Sequence, residues 1–218
     1  MGTYPQSGCL GSTFLSIHGH KNANDGGLLD DTAFGYPPGR GWEYYKKIGV
    51  TNYEAWYSMP TRNNTLGTVA CANGTMYAIP FPVLSPLTLD RISLSITTFV
   101  AGGARLGIYA DSGMYPAALV LDAGAIVTTA NGNISITISQ ALNEGTLYWL
   151  SFIAGAAFTV NGVASADTLP ILGYSNVPAA QNPFLTVAQA YGALPGTFPG
   201  GGAITAGVVP LVFVRRSA

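Results

Sequence analysis

Two stretches of strict alternation constrain the fold of this chain more than any other feature. Arg91-Ile92-Ser93-Leu94-Ser95-Ile96-Thr97 and Asn133-Ile134-Ser135-Ile136-Thr137-Ile138-Ser139 place apolar and polar residues at period two. Only an extended chain sends successive side chains to opposite faces, so each stretch reads as a strand with one buried face. Arg105-Leu106-Gly107-Ile108-Tyr109 and Ala118-Leu119-Val120-Leu121-Asp122 lie between them as further strands. Leu147-Tyr148-Trp149-Leu150-Ser151-Phe152-Ile153 is apolar on both faces, which suits a central strand with Trp149 in the core. Turn chemistry separates these runs at Ala101-Gly102-Gly103, Asp111-Ser112-Gly113, Asn131-Gly132 and Asn143-Glu144-Gly145. The Asn-Gly pair suits hairpin positions that need positive φ. Short strands at such spacing imply a sandwich or barrel, and no helical pattern with start and stop signals interrupts them. The expectation is an all-β chain.

The composition changes near residue 60. Residues 1–60 are rich in Gly, Asn, Asp and Tyr, and hold both histidines and two of the three tryptophans. Turn-forming runs such as Asn22-Ala23-Asn24-Asp25-Gly26-Gly27 dominate there. An irregular arm over 1–60, ordered by neighbours, and a sandwich domain over 61–218 are expected. After Ala164 the pattern loosens, and Gly192 to Gly207 reads as a long loop or linking segment. Val208-Val209-Pro210-Leu211-Val212-Phe213-Val214 reads as a last strand, with Pro210 favouring an edge.

Charge is scarce. Only 9% of residues are charged and 48% are hydrophobic, against about 25% charge in ordinary soluble domains. Much of the surface is therefore expected to face other protein, as in an assembly subunit. The formal net charge is −1, and the longest cationic runs are the Lys46-Lys47 and Arg215-Arg216 pairs. Nucleic-acid binding needs more cations than that. The longest apolar stretch, Leu147 to Val160, is broken by Ser151, Gly155 and Thr159 and falls short of the ~20 residues of a spanning helix. Met1 to Leu10 lacks the cationic start and apolar run of a signal peptide. Cys9 and Cys71 form no CxxC pair; they read as two thiols, with a bridge from arm to domain as the alternative.

Several pieces, in order, carry a resemblance: Met76-Tyr77-Ala78-Ile79-Pro80-Phe81, Leu89-Asp90-Arg91-Ile92, and Ala104-Arg105-Leu106-Gly107-Ile108-Tyr109 with Asp111. Tyr115-Pro116, Leu119-Val120-Leu121-Asp122-Ala123-Gly124 and Gly145-Thr146-Leu147-Tyr148-Trp149-Leu150 complete the set. The stretch from Tyr77 to Phe152, about a third of the chain, resembles a module of phage and prophage tail-fibre and other virion proteins. The resemblance implies a jelly-roll-like antiparallel β-sandwich in a virion appendage, often receptor-facing or particle-decorating, with no catalytic motif to carry over.

Candidate sites are few. His18-Gly19-His20 places two imidazoles on one side of an extended chain. Six such imidazoles around a trimer axis would suit a transition metal; the alternative is two exposed arm histidines. Asn22, Asn24, Asp25, Asp30 and Asp31 offer oxygens for calcium without EF-hand spacing, or simply form Asx turns. Asp90 and Arg91, with Arg105 taken to lie on a neighbouring strand, read as strand-face charge pairing. A hydrolytic triad would have to use His18 or His20. No two of Asp25, Asp30, Asp31, Glu43, Glu54, Asp90, Asp111, Asp122, Glu144 and Asp167 stand out as partners for glycoside cleavage. The crowded aromatics Trp42, Tyr44, Tyr45, Tyr53, Trp56 and Tyr57 suit an interface between subunits, or packing on the chain's own sandwich.

These readings lead to a non-enzymatic virion structural protein: a tail-fibre, tail-tip or other appendage subunit with a host-receptor-binding surface. A capsid decoration protein is the second reading and a carbohydrate-binding module the third. No cofactor is expected apart from the metal that His18 and His20 would share. The expected partners are other virion proteins, further copies of the chain (a trimer first) and a host-surface glycan or protein. Nucleic acid and membrane insertion are not expected. Assembly would occur in the host cytoplasm.

Overall fold

The computed structural model describes residues 56–61, 66–173 and 183–217. Its strands are β1 (Trp56–Tyr57), β2 (Leu66–Ala70), β3 (Thr75–Val83), β4 (Leu87–Thr98), β5 (Gly103–Asp111), β6 (Pro116–Val127) and β7 (Gly132–Leu142). They continue with β8 (Thr146–Ala154), β9 (Thr159–Ala164), β10 (Phe184–Ala188), β11 (Ala203–Thr205), β12 (Val208–Pro210) and β13 (Val212–Arg216). One 3-10 turn, Ser165–Asp167, follows β9. Among the described residues no helix is long and apolar enough to cross a membrane.

The strands form two antiparallel sheets packed face to face, so the expected all-β sandwich is present. One sheet has the order β1-β13-β4-β9-β12, with β7 also on β4 and β2 also on β9. The other has the order β11-β10-β3-β8-β5-β6. The alternating stretches became β4 and β7, paired in register Ile92 to Ile136 and Leu94 to Ile134. Their isoleucines and Leu94 face the opposing sheet, where Phe81, Leu150 and Phe152 share one core with them, and Phe158 from the β8–β9 connection joins it. Full burial of each such side chain stabilises by about 1.5–3 kcal/mol. Tyr77 and Phe152 stack there with ring centroids 4.7 Å apart.

Two expectations need correction. The Asn131-Gly132 turn does not close a hairpin, because β6 and β7 lie in different sheets, and the Ala101-Gly102-Gly103 turn likewise joins β4 and β5 of different sheets. They are crossings from one layer to the other, in which Gly132 adopts φ of 127°. Nor is Arg105 a neighbour of Asp90 and Arg91 within a sheet. Asp90 instead holds Arg215 through two hydrogen bonds of 2.8 and 2.7 Å, and Arg105 donates to Asp122 at 2.8 and 2.9 Å.

The apolar run at 147–153 is the central strand β8, between β3 and β5. Tyr148, Leu150 and Phe152 enter the space between the sheets. Trp149 and Ile153 point the other way and are equally buried. What covers them is the Gly/Pro-rich segment, which is a strap rather than a linker. Residues 189–202 cross the outer face of the six-stranded sheet, and Leu194 and Phe198 close a second core over Met76, Tyr109, Trp149 and Leu185. Backbone bonds fasten the strap to β6: Leu119 N–H to Gly196 O at 2.9 Å and Phe198 N–H to Ala117 O at 2.8 Å. Tyr109 and Tyr115 donate their hydroxyls to Pro195 O and Pro199 O, each at 2.8 Å.

Glycines make this close approach possible. A Cβ on Gly107 would collide with Leu194 Cδ1 and the Leu121 carbonyl. One on Gly155 would lie 2.8 Å from the Tyr191 ring. The last expected strand splits at Leu211 into β12 and β13, and Pro210 does sit in β12, at the end of its sheet's strand order.

Candidate functional site: an outer-face groove

The outer face of the seven-stranded sheet is built from the polar halves of the alternating strands. Because β4 pairs with β13 and β7, Phe213, Ser93 and Ser135 stand side by side across three strands. Two residues further along β4, Ser95 pairs with Asn133. Asn161 on β9 donates Nδ2–H to Ser95 Oγ at 2.8 Å. With Trp56 on β1, these seven residues line a groove of about 500 Å³, within the ~300–1,000 Å³ range of small-ligand sites.

The groove is uncharged and amphipathic. Among the described residues its lining holds two aromatic rings and five hydroxyl or amide side chains, with no ionisable group. Ser93 Oγ is satisfied internally, donating to Ile134 O at 2.9 Å. Asn133 and Ser135 are exposed, and their side chains have no hydrogen-bond partner among the described residues. Arg215 lies with its guanidinium 5.7 Å from the Trp56 ring centroid. The bidentate bond to Asp90 fixes that guanidinium, which in turn holds the indole at the groove's edge. Arg91 follows on the next row, paired with Arg215 and Thr137.

Asp111, Asp122 and Cys71, outside the groove, serve the fold. Asp111 accepts from Trp149 Nε1–H at 2.8 Å and from the Met114 amide at 3.2 Å, bracing a turn in which Met114 takes φ of 65°. Burial by itself would raise the Asp122 pKa. The Arg105 hydrogen bond, the amides of Gly124 and Leu194, and the Arg105 charge outweigh it and carry the carboxyl below its ordinary value. Burial pushes the Cys71 thiol up to about 12, against the hydrogen bond from Tyr77, so it stays protonated and weakly nucleophilic. Among the described residues no three His, Cys, Asp or Glu side chains gather as metal ligands.

Of the residues singled out in the sequence, Trp56 and Tyr57 form β1 against β13. Trp56 edges the groove, and Tyr57 packs on the main core. His18, His20, Trp42, Tyr44, Tyr45 and Tyr53 lie outside the described residues, as do Asn22, Asn24, Asp25, Asp30 and Asp31. Ser93, Ser95, Asn133, Ser135, Asn161 and Phe213 were not singled out. Their signal was present in part, since the polar positions of both alternating stretches are Ser, Thr and Asn almost throughout. Compared with known proteins, the chain matches no family model and no curated sequence.

Proposed function

We propose that this chain is a phage virion structural protein, an appendage subunit of the tail-fibre or tail-tip kind, whose groove-bearing sheet faces the host. The observation that carries the reading is the asymmetry of the sandwich. One outer face is sealed by the chain's own strap. Among the described residues the other offers an uncharged groove on paired strands, and rigid elements position recognition groups well. Successive strands from β3 to β5 and from β6 to β10 alternate between the sheets, which supports the jelly-roll-like form that the tail-fibre resemblance implies. The chemistry of the groove suits binding rather than covalent catalysis.

In this reading the part of residues 1–60 that precedes β1 is the arm that anchors the subunit to other virion proteins, since Trp56 and Tyr57 belong to the sandwich itself, and the chain works as a homo-oligomer, a trimer first. The strand β7 supports self-association. It pairs only with β4 among the described strands, carries no ionisable side chain and leaves Ile134, Ile136 and Ile138 half-buried. Such an edge is a template for pairing unless something covers it.

A cryo-electron microscopy map of the particle that carries the chain tests the proposal. Density for the sandwich at a tail tip or fibre is expected, with the seven-stranded sheet outward. Density spread over the shell would make this a capsid decoration protein. Its absence from the particle would leave the free carbohydrate-binding module as the reading to pursue.

A further inference from the structure

We infer that the outer-face groove is a binding site for a neutral saccharide, with Trp56 and Phe213 as stacking surfaces and Asn133, Ser135 and Asn161 as hydroxyl-reading groups. This rests on the reading of the exposed sheet as a recognition surface and names the ligand that it takes.

The lining dictates the ligand class. A pyranose ring presents flat patches of C–H bonds on its faces and hydroxyls around its rim. It therefore needs apolar aromatic area together with groups that both donate and accept. Phe213 lies next to Ser93 on the neighbouring strand, and Trp56 stands one strand further out, on the row of Arg215. Apolar area thus borders a polar floor instead of forming a continuous greasy patch. Asn133 offers an amide donor and acceptor, and Ser135 a hydroxyl, none of them engaged among the described residues. The bond from Asn161 Nδ2 to Ser95 Oγ leaves the Asn161 carbonyl oxygen as an acceptor and the Ser95 hydroxyl as a donor.

Geometry sets the size. Neighbouring strands are about 4.8 Å apart and same-face residues about 6.8 Å apart along a strand. The floor over β13, β4 and β7 thus spans roughly 10 by 7 Å, the footprint of one or two sugar rings.

Charge decides against an anionic ligand. None of the seven lining side chains is ionisable, and the Arg215 charge is compensated by Asp90. A buried anion would have no cation on the groove floor, and desolvating an unpaired charge is costly. Arg91 stands a row away, outside the lining, and is the cation among the described residues placed to draw a phosphorylated or carboxylated sugar.

The test uses the full chain on an array of neutral hexose and N-acetylhexosamine oligosaccharides beside sialylated and phosphorylated ones. Titration calorimetry on the best neutral oligosaccharide follows, with Asn133→Ala, Ser135→Ala and Trp56→Ala. Binding to a neutral oligosaccharide is expected, and each substitution should weaken it about tenfold or more. Asn133 and Ser135 are exposed, so those two variants should keep the wild-type melting temperature even if Trp56→Ala does not fold.

Preference for acidic glycans, lost in Arg91→Ala, would overturn the neutral assignment. So would neutral binding that all three groove variants retain, or self-association abolished by Asn133→Arg in a protein that binds no glycan. Competition for adsorption to host cells separates this inference from the broader one. A chain that blocks adsorption equally well with and without Asn133→Ala recognises the host through another surface. A chain that blocks nothing and sits on the shell removes the host-recognition reading itself.

Discussion

The two outer faces of this sandwich start from similar strands and end in opposite states. On the six-stranded sheet the outward positions of the central strands are Trp149, Ile153, Tyr109 and Met76, and the strap over 189–202 turns them into a second core. On the seven-stranded sheet the outward positions are Ser93, Ser95, Asn133 and Ser135, and among the described residues no second core forms there. Large apolar side chains left in water would forgo about 1.5–3 kcal/mol each, so the first face has to be covered. Serine and asparagine tolerate solvent, and Asn133 and Ser135 stand exposed on the second face without a hydrogen-bond partner among the described residues. The difference teaches that outward residue type decides whether a sheet face becomes structure or surface.

The largest effect should come from removing the anchor of the covered face. Trp149→Ala is expected to cost about 3–5 kcal/mol, read as a lower urea midpoint. A loss below about 1 kcal/mol, the scale of an ordinary surface change, would mean that the strap does not close a core. Next, Gly107→Ala puts a methyl against Leu194 and the Leu121 carbonyl. Overpacking of this kind costs about 1–3 kcal/mol, and the strap should gain amide exchange around Leu194 and Phe198 before the rest of the domain does.

Acid should loosen the same face. Asp122 has a folded-state pKa below the ordinary carboxylate value of 3.8. The stability it contributes is therefore fully present above that value and lost as pH falls through the depressed one. Asp122→Asn should be less stable than the wild type at neutral pH and show a flatter stability profile below pH 3.8. Parallel profiles would show that the Arg105–Asp122 pair does not hold the strap. The smallest effect belongs to the open face. Asn133→Ala and Ser135→Ala should change stability by no more than about 0.5 kcal/mol. A cost comparable to Trp149→Ala would erase the distinction between the two faces.

Much of the fold was legible. The alternation at 91–97 and 133–139 named β4 and β7 because period two has no other structural source, and the apolar run at 147–153 named the doubly covered β8. Less of the site was legible. Trp56 was singled out only as one of a cluster of aromatics, whereas Phe213, Ser93, Asn133 and Asn161 carried no motif. They come from four separate strands, β13, β4, β7 and β9, and no spacing along the chain records which strands adjoin. The strap was missed for a related reason. Glycine and proline mark irregular backbone, but a segment with few apolar residues does not announce that Leu194 and Phe198 are enough to close a core.

By itself the sequence determined that the chain is β-structured, which residues of its two alternating strands face inward, and that little charge is available anywhere. Those properties are local: they follow from the two-residue repeat of an extended backbone and from side-chain chemistry. Tertiary structure alone decided that β4 lies between β7 and β13, that Arg105 finds Asp122 and Arg215 finds Asp90, and which outer face the strap would cover. These are long-range pairings, fixed by how two sheets bury their shared apolar faces, and the groove exists only where those pairings bring its seven side chains together.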